Sequence, residues 1–116
     1  MHRHDEAFWQ AVEALVGGGE IVIDRPKGTA HPKYADFIYG VDYGYLQETT
    51  SMDGGGIDVW VGSDKRRQVD AVICIVDLLK KDSEIKILIG CTPQEKEMIY
   101  KTHNESQYMK GILIAR

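Results

Sequence analysis

Apolar residues in the first part of the chain recur with helical spacing. Between Asp5 and Val16 they return every three or four positions, which predicts an amphipathic helix. Gly17, the first of three consecutive glycines, follows the last periodic residue and favours the end of the helix there. The buried side of this helix is predicted to contain Phe8, Val12, Leu15 and Val16.

A second helix is predicted near the other end of the chain from its capping pattern. Thr92 precedes Pro93, and Glu95 follows three positions after Thr92, which is the arrangement of a capping box. From this box the helix is expected to continue to about His103. It is the helix whose start the sequence defines most clearly.

Strand-like segments, rich in β-branched and aromatic residues, lie between the helices and after the second one. Glycines, prolines and charged turns separate them, among them the loop 25–33 and the turns 63–68 and 80–83. Several antiparallel strands between two helices predict a small barrel-like α+β domain, and 116 residues fit one domain over residues 1–116. The segments are Ile21–Ile23, Phe37–Leu46, Ile57–Val61, Val69–Val76, Glu84–Ile89 and Tyr108–Ala115.

The segment Glu84–Ile89 has charged residues on one side only. Because side chains alternate along a strand, Glu84 and Lys86 share a face with Leu88. The opposite, core face is predicted to carry Ile85, Ile87 and Ile89. Taken alone, the charged pair is typical of a solvated ion pair on an edge strand.

The composition is that of an ordinary globular protein, with 43% hydrophobic and 28% charged residues. The longest apolar stretches, Ala71–Val76 and Ile85–Ile89, have the length of strands, so we expect no membrane span. A net charge of −4 argues against non-specific nucleic-acid binding. Residues 1–5 are polar and give no secretory signal, so we expect a cytoplasmic protein.

The cysteines and the terminal histidines give little indication of chemistry. Cys74 and Cys91 are expected to be reduced thiols, with Cys74 a small core residue inside an apolar run. No histidine is placed locally to activate Cys91 as a nucleophile. We interpret His2 and His4 as terminal polar residues rather than as a metal site.

The most informative segment for function is the run from Asp53 to Asp58, in which three glycines separate two carboxylates. Glycine costs the most backbone entropy to order, so such a run suits a sharp bend or a close approach to a ligand. A bend here would turn Asp53 toward Asp58, and both could then face one Mg²⁺ ion, which prefers one or two carboxylates plus water and phosphate oxygens. The alternative is a glycine-rich hairpin turn with two solvated aspartates.

Other polar residues along the chain supply groups for a metal-bound polyphosphate. A divalent ion neutralises phosphate oxygens on one side, while lysine, arginine and tyrosine hold the other oxygens. Candidate cation-binding residues are Asp24, Asp53, Asp58 and Glu84, and candidate anion-binding residues are Arg25, Lys27, Lys33, Lys86 and Lys101, with Tyr39, Tyr43 and Tyr100 as hydrogen-bond donors.

These residues stand in an order that resembles the soluble family I inorganic pyrophosphatases. Residues 39–45 (YGVDYGY) resemble the family pattern Y-P-x-N-Y-G-[YF], and residues 53–59 (DGGGIDV) resemble D-G-D-P-x-D-V. Residues 24–29 (DRPKGT) resemble E-I-P-K-G-S, and Lys33-Tyr34 resembles the family's K-Y. Further along, residues 84–86 (EIK) resemble D-x-K, and Tyr100-Lys101 resembles Y-K, followed by the aromatic Tyr108. The resemblance covers about residues 20–110 and is that of a shortened, divergent member.

The resemblance implies a fold, a cofactor and a set of roles. The fold would be a small five-stranded OB-like antiparallel β-barrel flanked by an N-terminal and a C-terminal helix, in a homo-oligomer. The activity would be Mg²⁺-dependent hydrolysis of inorganic diphosphate, with Mn²⁺ as a possible substitute. Asp53 and Asp58 would bind the activating metal, with Asp24 and Glu84 as further metal ligands. The substrate-binding residues would be Lys33, Tyr39, Tyr43, Lys86, Tyr100 and Lys101, and the catalytic set would be Asp53, Asp58, Tyr43 and Lys33.

The chain departs from the family pattern at the water-activating position. Gly55 stands where the family has the middle Asp, and Gly56 stands where it has Pro. Ala35 replaces the Glu after K-Y, and the hairpin that carries a phosphate-binding Arg is missing before Phe37. Three functions therefore remain open: hydrolysis of diphosphate, hydrolysis of a larger phosphoanhydride such as a nucleotide, and metal or phosphate binding without turnover.

Overall fold

The computed structural model describes residues 5–116, so the interpretation of His2 and His4 falls outside the described part of the chain. The helices and strands follow one another in the order that the hydrophobic pattern predicts. They are α1 (Asp5–Gly17), β1 (Ile21–Arg25), β2 (Asp42–Leu46), β3 (Asp58–Val61), β4 (Val69–Asp77), β5 (Asp82–Ile89), α2 (Pro93–Thr102) and β6 (Met109–Ala115).

The strands form one open, mixed sheet in the order β1-β2-β3-β5-β4-β6. Every neighbouring pair is antiparallel except β3 and β5, which are parallel. The reason is that β4 lies on the outer side of β5, and the hairpin from β4 brings β5 back between β3 and β4. The expected five-stranded antiparallel barrel is therefore wrong in strand number, direction and closure. The described sheet does not close because β1 and β6 lie at its opposite ends.

Each face of the sheet has its own core. On the first face, Trp9 and Val12 of α1 pack with strand residues that include Val59, Val72 and Ile87. On the second face, Ile99 of α2 and the loop residues Tyr39 and Val41 pack with a second set of strand residues. That set includes Trp60, Ile73 and Leu88. Because side chains alternate along each strand, the strands contribute residues to two cores, one on each face of the sheet.

The buried side of α1 differs from the prediction. Trp9 is buried, whereas Phe8 and Leu15 are 44% and 42% exposed. Phe8 packs edge-on against Trp9 with their ring centroids 5.1 Å apart. The helix is oriented so that the larger indole of Trp9 enters the core. The spacing of apolar residues does not distinguish this orientation from the predicted one.

Strand β5 lies inside the sheet, between β3 and β4, so the expectation of a solvated pair on an edge strand is wrong. Lys86 is only 7% exposed. Ile87 and Ile89 lie in the core as predicted, but Ile85 is half exposed. The reason is that Ile85 lies toward the start of the strand, beyond the cluster that packs with α1.

The capping box of α2 is confirmed. Thr92 Oγ1 accepts a hydrogen bond from the Glu95 amide at 3.2 Å, and Glu95 Oε1 accepts one from the Thr92 amide at 2.8 Å. The Glu95 carboxylate also accepts from the Ser63 amide, which follows β3. Neither α1 nor α2, the helices of the described part, is long and apolar enough to cross a membrane.

Candidate functional site

Four polar side chains meet on the second face of the sheet. Lys86 Nζ donates to Asp58 Oδ2 at 2.7 Å and to the Tyr43 hydroxyl oxygen at 2.5 Å. The Tyr43 hydroxyl in turn donates to Asp58 Oδ2 at 2.7 Å. Glu84 Oε2 lies 3.5 Å from Lys86 Nζ. We refer to Tyr43, Asp58, Glu84 and Lys86 as the Lys86 cluster.

The register of the strands brings the Lys86 cluster together. Val59 of β3 lies beside Ile87 of β5, so in this parallel pair Asp58 lies beside Lys86. Tyr43 of β2 lies opposite Trp60, two positions along β3 from Asp58 and on the same face. The Tyr43 and Trp60 rings meet edge to face with centroids 4.5 Å apart, which fixes the direction of the Tyr43 hydroxyl.

The same crowding sets the charge states in the cluster. Burial raises the pKa of Tyr43, and the negative charge and hydrogen bond of Asp58 raise it further, so the phenol stays a neutral donor. Burial also raises the pKa of Glu84, and the nearby carboxylates of Asp58 and Asp53 add to the effect while Lys86 opposes it. Glu84 therefore takes up a proton more readily than an ordinary glutamate.

Asp53 lies in a loop that closes on itself. Its carboxylate accepts from the Ser51 hydroxyl at 2.7 Å and from the Gly55 amide at 2.9 Å, and Gly54 has φ +85°. These two bonds, the Ser51 hydroxyl first, lower the pKa of Asp53. Its side chain is exposed and hydrogen-bonds within its own loop, while its charge is close enough to raise the pKa of Glu84.

Tyr39 lies next to the Lys86 cluster. It is 4% exposed, and its ring stacks on Tyr43 with centroids 5.5 Å apart. Its hydroxyl accepts a hydrogen bond from Arg25 Nη1 at 2.9 Å. The His31 ring stacks near Tyr39 with centroids 6.2 Å apart, so Arg25 and His31 both lie close to the Tyr39 ring.

The remaining predicted site residues lie apart from the cluster. Asp24, Lys33 and Lys101 are exposed, and within residues 5–116 none of them makes a hydrogen bond or an ion pair with the four cluster residues. Tyr100 is 40% exposed and lines a separate surface cleft of about 330 Å³ between α2 and β6. The fold therefore brings Tyr43, Asp58, Glu84 and Lys86 together, sets Tyr39 beside them and leaves Asp53 at the rim.

His103 and Trp60 belong to the surroundings of the site, although the sequence does not single them out. Trp60 Nε1 donates to His103 Nε2 at 3.2 Å, and His103 Nδ1 lies 3.4 Å from Met109 Sδ. Burial, with a smaller contribution from Lys86, lowers the pKa of His103 to about 3. The residue is therefore a neutral acceptor that orients the indole beneath Tyr43, and no local motif marks a contact between residues 43 positions apart.

Two carboxylates of the Lys86 cluster are the candidates for holding a magnesium ion. Among residues 5–116, no three or more His, Cys, Asp or Glu side chains gather in a group that could hold a metal. Asp58 and Glu84 nevertheless both approach Lys86 Nζ, at 2.7 and 3.5 Å, so two carboxylates lie close together. Mg²⁺ commonly uses only one or two carboxylates, with water and phosphate oxygens in the other positions.

No protein-family profile matches this sequence, and no curated protein sequence matches it. Solved structures do match its fold. An inorganic phosphatase from Anaplasma phagocytophilum is 14% identical, with a TM-score of 0.55 over 82% of this chain and 81% of that chain. An inorganic pyrophosphatase from Coxiella burnetii is 13% identical, with a TM-score of 0.57 over 78% of this chain and 81% of that chain.

A third structure gives the same result. The inorganic pyrophosphatase of Helicobacter pylori is 13% identical, with a TM-score of 0.55 over 83% of this chain and 80% of that chain. At such low identity these likenesses concern the fold and carry no residue roles. The chain has a pyrophosphatase-like fold.

Proposed function

We propose that this protein hydrolyses inorganic diphosphate to two phosphates in a Mg²⁺-dependent reaction, with Mn²⁺ as a possible substitute. The observation that carries the proposal is the Lys86 cluster, in which a buried ammonium, a phenol and two carboxylates share one face of a pyrophosphatase-like fold. Both cysteines are free thiols, which supports a reducing, cytoplasmic setting.

In this proposal the protein's own residues bind and orient the diphosphate. Lys86 Nζ and the Tyr43 hydroxyl donate to oxygens of one phosphoryl group, where they stabilise the charge that develops during transfer. Lys33, Tyr39, Tyr100 and Lys101 are the further substrate contacts that the sequence resemblance implies. Asp58 and Glu84, with Asp53 from its exposed loop and the exposed Asp24 of β1, would hold Mg²⁺, which when bound neutralises phosphate oxygens and lowers the pKa of a coordinated water.

Gly55 limits the rate that this proposal predicts. A positioned general base contributes about 10²–10⁴-fold, and the chain has glycine where the resembling family has the water-activating Asp. We therefore expect a turnover that is lower by about that factor than a site with a carboxylate at position 55 would give.

A second candidate function is metal or phosphate binding without turnover. It is favoured by Gly55, which stands where the resembling family has the water-activating Asp, so that a ligand would bind without an activated water to attack it. Such a protein would bind phosphate at Lys86 and Tyr43 and release no product.

The test is orthophosphate release by the purified protein from diphosphate and, in parallel, from ATP, with Mg²⁺, Mn²⁺ or EDTA. Asp58→Asn removes a cluster carboxylate, while Asp64→Asn removes a carboxylate that pairs with Arg66 in a distant turn. We expect metal-dependent release from diphosphate that Asp58→Asn abolishes and Asp64→Asn retains. Release from ATP alone would overturn the proposed substrate, and no release together with phosphate-dependent thermal stabilisation would favour the binding function.

A further inference from the structure

Arg25 is a half-buried cation whose hydrogen-bond partner is neutral. Its Nη1 donates to the Tyr39 hydroxyl at 2.9 Å, and this bond raises the pKa of the guanidinium. Within residues 5–116, the ion pairs of the structure do not include Arg25. A guanidinium has five N–H donors, and the bond to Tyr39 uses one of them, so Arg25 retains donors for an anion.

The position of Arg25 is fixed relative to the Lys86 cluster. Arg25 of β1 lies directly opposite Tyr43 of β2 in the antiparallel register. Its guanidinium carbon lies 6.0 Å from the centroid of the Tyr39 ring, and Tyr39 stacks on Tyr43. Arg25 therefore lies on the same face as Lys86, with Tyr43 between the two strands that carry these cations.

The two cations differ in how far they are neutralised. Lys86 contacts the carboxylates of Asp58 and Glu84, so part of its charge is already balanced. Arg25 hydrogen-bonds to a phenol, and the charge of the adjacent Asp24 acts on it without an ion pair among the described residues. The His31 ring stacks near Tyr39, and its pKa is lowered first by burial and then by the charges of Arg25, Lys33 and Lys80.

We propose that Arg25 binds the second phosphoryl group of a diphosphate whose first group lies at Lys86 and Tyr43. The inference rests on the proposed function, because it deepens the description of the same site. An anion with two linked phosphoryl groups fits two cationic positions on either side of Tyr43, and orthophosphate reaches only one of them. The planar guanidinium suits bidentate contact with phosphate oxygens. Arg25 thus makes the site selective for a diphosphate group over a single phosphate.

The test compares binding constants from titration calorimetry of diphosphate, ADP and orthophosphate, each with Mg²⁺ and with EDTA. The variants are Arg25→Met, Arg25→Lys and the control Arg66→Met, which removes a positive charge from a remote surface pair with Asp64. We expect Arg25→Met to weaken diphosphate binding about 10- to 100-fold and to change orthophosphate binding less than about twofold. Arg25→Lys should recover part of the loss, and Arg66→Met should change neither constant.

Equal weakening of both anions by Arg25→Met, or no weakening of either, would overturn the assignment. Wild-type protein that binds diphosphate no more tightly than orthophosphate would overturn it as well. Because the readout is binding, the outcome is separate from turnover: a selective loss in Arg25→Met without any hydrolysis would support the assignment and contradict the proposed reaction. ADP that binds like diphosphate would identify the ligand as a terminal diphosphate group, and weaker ADP binding would identify it as the inorganic anion.

Discussion

Lys86 determines most of the electrostatics of the site at the scale of single residues. It is the shared partner of Asp58, Glu84 and Tyr43, and its side chain is 9% exposed. Without its ammonium, two partly buried carboxylates would face each other with no cation between them. Their mutual repulsion and incomplete hydration would then destabilise the fold.

We therefore expect Lys86→Met to lower the free energy of unfolding by about 2–4 kcal/mol, somewhat less than for a fully buried pair because the Asp58 side chain is 24% exposed. Urea unfolding followed by circular dichroism measures the change. Arg66→Met is the matched control, since the Arg66 side chain is 75% exposed and its pair with Asp64 is a surface one. An equally small effect of both variants would show that Lys86 is not the cation on which the cluster depends.

His103 gives the protein a predictable response to acid. Its pKa is about 3 in the folded state because of burial and about 6.5 in the unfolded chain, so at pH values in between the unfolded chain binds the extra proton. Folding stability is therefore expected to fall as the pH drops below about 6.5, by up to ~1.4 kcal/mol per pH unit from this residue. The stability of His103→Gln, measured by urea unfolding from pH 7 to pH 4, should have a shallower slope. Parallel pH profiles of wild type and variant would contradict this account.

Gly55 offers a direct way to restore the missing carboxylate. Its φ is not positive, and a Cβ there would meet Asp53 Oδ1 at 3.3 Å, so the loop accepts a side chain after a small shift. We expect Gly55→Asp to raise Mg²⁺-dependent diphosphate hydrolysis about 10²-fold or more. Gly55→Asn, of equal shape without the charge, should give no gain. Equal rates for the two variants would mean that a lost carboxylate does not limit the reaction.

At the scale of elements, the first turn of α2, the helix that packs on the second core, is hydrogen-bonded to the turn that follows β3. Glu95 closes the capping box with Thr92 and also accepts from the Ser63 amide. Thr92→Ala is expected to lower the free energy of unfolding by about 1 kcal/mol. Thr92→Ser keeps the capping hydroxyl and should retain most of the wild-type stability. Thermal or urea unfolding of the three proteins measures this. A loss as large in Thr92→Ser would mean that the threonine methyl group, and not the cap, matters.

The sequence predicts those features that depend on near neighbours. The capping box lies within four positions, and the helix and strand segments follow from short periodic patterns, so the order of the elements is confirmed. Closure of the sheet depends on whether β1 meets β6, and that choice is made by packing over the whole chain. In the same way, spacing does not decide whether Phe8 or Trp9 enters the core.

In the candidate site, too, short motifs are predictable from the sequence, whereas contacts between residues far apart in the chain are not. Motif order marks Tyr43, Asp58 and Lys86 as candidates, but it does not show that Lys86 is buried between two carboxylates. The bonds from Lys86 to Asp58 and from Trp60 to His103 span 28 and 43 positions. Contacts of that separation depend on sheet register, which no short pattern encodes.

At the scale of the whole molecule, one corner of the first sheet face is apolar and open. Cys74 pairs with Ile85 on one side and Ile112 on the other, so these side chains adjoin. Val76 continues this patch along β4, Leu78 follows directly after the end of that strand, and Ile114 continues the patch along β6. Ile85 and Ile112 are 50% and 64% exposed. The five exposed side chains of the patch are Val76, Leu78, Ile85, Ile112 and Ile114.

We propose that a second copy of the chain covers this patch. A specific interface buries about 1,000 Å² or more in total, so each copy would contribute about half of that. Light scattering should give the mass of a dimer, and Ile112→Lys should give that of a monomer. Ile38→Lys, at an exposed loop residue outside the patch, is the control and should leave the dimer intact. A monomeric wild type, or a dimer that persists in Ile112→Lys, would contradict the proposal.

Metal and diphosphate are proposed to bind at the Lys86 cluster on the second sheet face. Anomalous diffraction from crystals grown with Mn²⁺ and diphosphate tests it most directly, because the method locates the ion without reference to activity. We expect a Mn²⁺ peak coordinated by Asp58, with phosphate density in contact with Lys86 Nζ and the Tyr43 hydroxyl. A peak elsewhere, for example at the charged cleft of Glu13, Asp70 and Arg116, or bound diphosphate away from Lys86, would contradict the account.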